Sequence, residues 1–427
     1  MANNYLGREV SIVGVGYTPM GSNLDSPELQ NTSERELLAW AAKEALDNGN
    51  VNAQQVDAFL VGMSGPNYEA RLKSGGPFFA DWIGAHNKPT LFHDEGCGTS
   101  AIGITQAVMM VASGVYDCVI STAVNINSTT PVYALPPYIR CEQTSDEMWG
   151  TIWTGTDAAY SKPYVGGMAI SDSSIICYCK QYGISFDEID EAIVNYMIKK
   201  REEALLNPKA ITVTETYEQE AKRFGFDSVK KYLLDNRYDP RMGFFVRART
   251  LGKVVDGASA AVVCTAEIAK QLHNKPIHVA GIASACFPEK AFRDMPIEAE
   301  IKMFKQMYSM AGITDPRKEL DYFGTHDCPV VTVIDTAEAS GYMDPGEACR
   351  MMLEGKVNFD GSRPITTSGG RTQLGHPRAP AFNIELAEAV YQMRGENGAR
   401  QMAIPPKTAL VYGGGSGIAC GGIVLKV

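Results

Sequence analysis

The stretch Val56-Asp57-Ala58-Phe59-Leu60-Val61-Gly62 decides the fold, because its pattern recurs. It is a short apolar run marked by an aspartate and closed by a glycine, so it reads as a buried strand. A strand pattern, Val10-Ser11-Ile12-Val13-Gly14-Val15, and then a helix pattern precede it. The helix has Ser33 as N-cap, Glu36 completing a capping box, Leu37, Trp40, Ala41 and Ala45 on one face, and Gly49 as its stop. The same order returns in the second half of the chain, starting at Ile277-His278-Val279-Ala280-Gly281. Ile297, Ile301, Phe304, Tyr308 and Ala311 follow at helical spacing up to Gly312, and then comes Leu320-Asp321-Tyr322-Phe323-Gly324. Strand, helix and aspartate-marked strand at nearly equal spacing predict two similar α/β halves, with helices covering the sheets.

A length of 427 residues predicts two or three domains. Residues 1–124 read as the first half, closed by a returning segment at 242–272, and 273–427 as the second. Between them, residues 125–241 have another texture, first aromatic and then charged and helical over Phe186–Leu206 and Val213–Asn236. This stretch reads as an insert carried by the first half. A net charge of −10 makes nucleic acid and anionic membranes poor partners. Ten cysteines without paired spacings argue against a disulfide scaffold or a zinc ribbon, and predict a reducing, cytoplasmic setting. The opening residues Met1–Arg8 are polar, and no apolar run is long enough for a membrane span, so neither a secretory signal nor a transmembrane helix is expected.

Three stretches carry residues suited to chemistry. His93-Asp94-Glu95-Gly96-Cys97-Gly98-Thr99-Ser100 runs into an apolar helical pattern, which puts Cys97 at a helix N-terminus. Unpaired N–H groups and the positive end of the helix dipole favour a thiolate there, although a small buried structural cysteine is the competing reading. Thr325-His326-Asp327-Cys328-Pro329 follows an apolar strand, where alternation lets His326 and Cys328 face one cavity. Its alternative is a tight turn in which His326 caps a carbonyl. Ser368-Gly369-Gly370-Arg371-Thr372-Gln373-Leu374-Gly375-His376-Pro377 places a histidine before the helical pattern Phe382–Met393. The later run Gly413-Gly414-Gly415-Ser416-Gly417 lacks the ending of a phosphate-binding loop and better suits oxyanion-binding N–H groups. One cysteine and two histidines from separate segments are the minimum for nucleophilic acyl transfer.

On these residues the sequence resembles the thiolase superfamily along most of its length. Cys97 sits where that family has its nucleophile, Gln181-Tyr182-Gly183-Ile184-Ser185 resembles its loop-domain segment, Val255–Val263 the strand closing the first half, and Gly375-His376-Pro377 its GHP loop. The His-Asp-Cys stretch resembles the sterol-carrier-protein-linked and archaeal-type thiolases, in which Cys328 replaces the second cysteine of ordinary thiolases; Val411 stands where that cysteine would fall. Three departures are Pro329 for the motif's phenylalanine, Cys-Gly-Thr for Cys-x-Ser, and Gly252 where the family has a serine.

The resemblance implies two duplicated α/β halves in a five-layer αβαβα core with an inserted loop domain. It implies CoA-dependent Claisen chemistry, with coenzyme A as co-substrate and no permanently bound cofactor or metal. Cys97 would carry the acyl group, with His376 accepting its proton. The N–H groups of Cys97 and Gly413 would hold one oxyanion, His326 with His376 would hold the enolate oxygen, and Cys328 would shuttle the α-proton. A homodimer is expected, and a closer resemblance to thiolase subunits of anaerobic aromatic degradation implies a small zinc-ribbon and OB-fold partner.

The aromatic stretch of the insert, with Arg140, Trp149, Trp153 and Met168 as pocket candidates, predicts a bulky aromatic, carboxylated 3-oxoacyl-CoA; dimer or loop packing is the other use of those aromatics. Two rivals remain open from sequence: a ketoacyl synthase-like condensing enzyme and a non-catalytic acyl-CoA-binding scaffold.

Overall fold

A computed structural model describes residues 6–64, 75–128, 168–235, 245–272, 275–286, 298–415 and 419–427. The first half contributes β1 (Val10–Tyr17), α1 (Glu34–Gly49), β2 (Ala58–Gly62), β3 (Thr90–His93), α2 (Thr99–Ala112) and β4 (Cys118–Asn125). Residues 168–235 hold α3 (Met168–Tyr182), α4 (Phe186–Leu205) and two short helices, Tyr217–Arg223 and Val229–Leu233. Then come β5 (Gly257–Thr265), β6 (Ile277–Cys286), α5 (Glu298–Ala311), β7 (Tyr322–Gly324), α6 (Ala381–Arg394), β8 (Thr408–Gly415) and β9 (Ala419–Lys426).

The strands hydrogen-bond in the order β3-β2-β4-β5-β1-β6-β9-β8-β7. The first half is β1 antiparallel to β5, β5 antiparallel to β4, and β4 parallel to β2. The second repeats it, with β6 antiparallel to β9, β9 antiparallel to β8, and β8 parallel to β7. β1 and β6 join the halves at Ser11–His278 and Ile12–Ile277. The repeat legible in sequence is therefore a repeat of topology, and the fold is the duplicated α/β fold expected.

Alternation along the strands builds the layers. In β5, Ala261 and Val263 face a central core with α2 and α6, while Ala260, Val262 and Cys264 face an outer core with α1. In β8, Ala409 and Val411 face the same central core, whereas Leu410 and Tyr412 face a third core with α5 and α4. Helix, sheet, paired central helices, sheet and helices thus make five layers. At this spacing α2 and α6 are covered on both sides, so almost every residue of α6 is buried.

Local signals account for the elements, with two differences. The α1 capping box of Ser33 and Glu36 forms, but Trp40 is 40% exposed because the buried stripe runs through Leu38 and Ala42 beside Leu37, Ala41 and Ala45. The segment expected to be helical over Val213–Asn236 is two short helices, because Thr216 and Ser228 each cap a new start. α4 matches its expectation, with Ser185 and Glu188 forming its capping box. It buries Ile193, Tyr196 and Met197 against Val330, Ile334 and Val357 of the second half. Among the described residues, no helix is long and apolar enough to cross a membrane.

Candidate active site

The site gathers at the N-termini of the two central helices. Cys97 lies in a single 3-10 turn, Gly96–Gly98, directly ahead of α2, and is buried. The Thr99 hydroxyl ties this turn, donating to the Gly96 carbonyl at 2.7 Å and accepting from the Glu95 N–H at 2.8 Å. Threonine in place of the family's serine thus keeps a hydroxyl where the turn uses one. His93 Nε2 lies 3.1 Å from the Thr99 carbonyl and donates to it. One residue on, the Ser100 hydroxyl accepts from the N–H groups of Phe382 and Asn383, at 3.1 and 3.3 Å. Ser100 N–H in turn donates to the Ala379 carbonyl at 3.2 Å. α2 and α6 are thereby locked start to start, and two positive dipole ends point at one region, which favours anions there.

His376 precedes α6. Its N–H donates to the Lys253 carbonyl at 2.7 Å, and its Nδ1 accepts the Arg378 N–H at 3.0 Å. A backbone N–H can only donate, so the Nδ1 bond puts the proton of the neutral ring on Nε2. Burial, then the guanidinium groups of Arg371 and Arg378, hold the His376 pKa well below the ordinary imidazole value. Gly375 makes the approach possible: its φ is +125°, and a side chain there would sit 2.6 Å from Val255.

His326 and Cys328 emerge just beyond β7. The two imidazoles meet edge to face with centroids 5.3 Å apart. Burial, Arg371 and His376 hold His326 neutral as well. The ligating atoms of His326, Cys328 and His376 all lie within 4.8 Å of one another, and among the described residues this is the one His, Cys and carboxylate group with such spacing. Two nitrogens and a thiol of this kind could also accept a soft divalent ion. Cys328 Sγ accepts the Gly252 N–H at 3.2 Å. A Cβ on Gly252 would approach both Cys328 Sγ and His376 Cβ to 2.9 Å, so the family's serine position is here occupied by the sulfur and the ring themselves.

Asp327 points the other way. Its Oδ1 accepts the Arg371 N–H at 2.8 Å, and its Oδ2 accepts the hydroxyls of Tyr196 at 3.2 Å and Thr372 at 3.4 Å. Arg371 also donates to the Thr325 carbonyl and pairs with Glu385. This buried network joins the His326–Cys328 segment, the turn leading to His376, and α4.

The structure thus brings His326, Cys328 and His376 into one cluster. The Cys97 turn packs against β8, β9 and the start of α6, and Gly413 lies on β8 opposite Gly421. Of the glycine run, Gly413, Gly414 and Gly415 end β8, and Ser416 and Gly417 lie outside the described residues. Arg140, Trp149 and Trp153 lie outside the described residues, and Met168 is described only as the first residue of α3. Of the histidines set aside as structural, His86 pairs with Asp81, His278 meets Ser11, and His93 braces the Cys97 turn; His273 lies outside the described residues. The sequence reading missed Gly252 as a contact of the cluster, Asp327 and Arg371 as its support, and Lys253 beside it. Only the odd glycine at a serine position signalled any of them.

Known proteins resemble this chain in sequence and in fold. Residues 291–425 match the family described as Thiolase C-terminal domain-like. An acetyl-CoA acetyltransferase of Methanothermobacter thermautotrophicus is 25% identical over 92% of this chain and 93% of its own. The benzoylsuccinyl-CoA thiolase subunit BbsB of Thauera aromatica is 23% identical over 96% of each. Among solved structures, the Ltp2-ChsH2(DUF35) aldolase superposes with a TM-score of 0.72 at 18% identity, covering 98% of each chain. Human mitochondrial 3-ketoacyl-CoA thiolase superposes at 0.69 and 17%, covering 99% of each. The chain has the thiolase fold, and its residues 291–425 match the thiolase C-terminal family. A second relative, of Methanocaldococcus jannaschii and 25% identical over 97% of this chain and 98% of its own, is also named an acetyl-CoA acetyltransferase.

Proposed function

We propose that this protein is a thiolase that cleaves a 3-oxoacyl-CoA with CoA by retro-Claisen chemistry. The observation that carries the reading is the His326, Cys328 and His376 cluster, with its donor atoms within 4.8 Å and the Gly252 N–H on the Cys328 sulfur. In the proposed cycle the Cys97 thiolate attacks the 3-oxo carbon, and the bond between the α- and 3-carbons breaks. The electron pair passes into an enolate of the departing acyl-CoA. Cys328 gives that enolate its proton, and the thiol of CoA returns one to Cys328 as it attacks the Cys97 thioester. N–H groups of Cys97 and Gly413 would hold the tetrahedral oxyanion, and His326 with His376 the enolate oxygen. The protonated Nε2 inferred for His376 favours donation to a thiolate or enolate over accepting the Cys97 proton. A thiol within reach of both imidazoles has a use in moving an α-proton and none in a ketoacyl synthase-like enzyme or a scaffold.

The finer reading is a bulky aromatic, carboxylated substrate such as benzoylsuccinyl-CoA, giving benzoyl-CoA and succinyl-CoA. The aromatic composition of the insert and the relative of that name support it. A small zinc-ribbon and OB-fold subunit is part of the proposal, supported by a relative named as a subunit and by the structural likeness to the Ltp2-ChsH2(DUF35) aldolase. A homodimer is also proposed, built on edge strand β3. That strand pairs only with β2 among the described residues, and it exposes Leu91 and Phe92.

A panel of aliphatic and aromatic 3-oxoacyl-CoA thioesters, assayed with CoA, tests the reading. Cleavage with faster alkylation of Cys97 than of the other thiols is expected. No cleavage of any member, with or without a co-purified small subunit, would sink it.

A further inference from the structure

A cavity of about 510 Å³ opens beside the cluster, between the segment preceding β5 and the short helices of the insert. Arg201, Arg223, Arg249 and Lys253 are the basic residues of its lining. The three arginines are each matched by a carboxylate: Arg201 by Glu220, Arg223 by Glu215 and Arg249 by Asp235. Lys253 is not. Its backbone is fully engaged, with the N–H on the Arg371 carbonyl and the carbonyl on the His376 N–H. Its ammonium has neither an ion pair nor a hydrogen bond among the described residues. The charges facing it are Arg201 on α4, Glu215 just before the Tyr217–Arg223 helix, and Glu220 within that helix. The next residue toward the N-terminus is Gly252, in contact with both Cys328 and His376.

A half-buried lysine left unmatched in a cavity, one residue from the reacting cluster, is a cation awaiting an anion. We propose that Lys253 is a specificity-determining residue that binds an anionic group of the thioester substrate, a carboxylate of the acyl part or a phosphate of CoA. This inference rests on the thiolase reading above and names the ligand chemistry of a cavity next to that site. Its consequence is a preference for anionic over neutral groups at that position.

The test compares the wild type with Lys253→Met and Lys253→Arg, after circular dichroism and melting confirm that the variants fold. Calorimetric binding of CoA, dephospho-CoA and pantetheine reads the phosphate arm without requiring turnover. KM for a 3-oxoacyl-CoA bearing a free carboxylate, against its methyl ester, reads the acyl arm. Loss of one charge-assisted contact should weaken the anionic member of one pair by about ten- to a hundredfold in Lys253→Met, leaving its neutral counterpart unchanged. Lys253→Arg should retain the discrimination, because a guanidinium keeps the positive charge. The inference is overturned if both discriminations survive in Lys253→Met, or if Lys253→Arg loses them as fully as Lys253→Met does. Failure of thiolysis in the wild type would instead overturn the thiolase reading, while the CoA binding series would still report on Lys253.

Discussion

Replacing Asp327 by asparagine tests whether the buried network behind the cluster holds His326 and Cys328 in place. The substitution is isosteric and leaves Oδ1 able to accept the Arg371 N–H. It removes the charge, and it turns an NH2 group toward the hydroxyls of Tyr196 and Thr372, which now donate to Oδ2. A hydrogen bond to a charged group contributes about 1.5–3 kcal/mol and a neutral one about 0.5–1.5, so the three bonds together lose about 3–4 kcal/mol. With an unfolding entropy of about 2.1 cal/mol/K per residue over 427 residues, Tm should fall by about 3–5 °C. Because the same bonds fix the residue between His326 and Cys328, kcat for thiolysis should fall by at least about tenfold, the usual cost of misplaced reacting groups. Differential scanning calorimetry and steady-state thiolysis read the two effects. A variant with wild-type Tm and wild-type kcat would refute the claim that Asp327 anchors the segment.

Cys328→Ala should lower kcat by about two to four orders of magnitude while Cys97 still becomes acylated, as mass spectrometry of the intact chain would show. Burial holds the Glu385 carboxyl up to about 8, against the pull of Arg371. The folded state therefore binds a proton that the unfolded state releases near its ordinary value, and stability should decline between about pH 4.3 and 8; thermal melts should show this decline reduced in Glu385→Gln. Phe92→Glu, on the exposed edge of β3, should shift the protein toward monomer in sedimentation. Micromolar zinc should inhibit by occupying His326, Cys328 and His376, with activity restored by EDTA; a fully zinc-resistant enzyme would argue that the three donors do not converge.

The sequence by itself determined what depends on local pattern. The two strand–helix–strand repeats were legible because hydrophobic period and capping residues act within a few positions, as Ser33 with Glu36 and Ser185 with Glu188 do. The placement of Cys97 at a helix start was legible for the same reason, and so was the shared direction of His326 and Cys328, since alternation needs only their spacing. Only the tertiary structure decided which distant groups meet. Gly252 and the Cys328 sulfur are 76 positions apart in the chain, Tyr196 and Asp327 are 131 apart, and no local period relates either pair. The proton on His376 Nε2, the shared burden of Asp327 and Glu385 on Arg371, and the unmatched ammonium of Lys253 follow from those meetings. Charge and hydrogen-bond state depend on what burial removes and which partner replaces the water, and both are fixed only once the layers have closed.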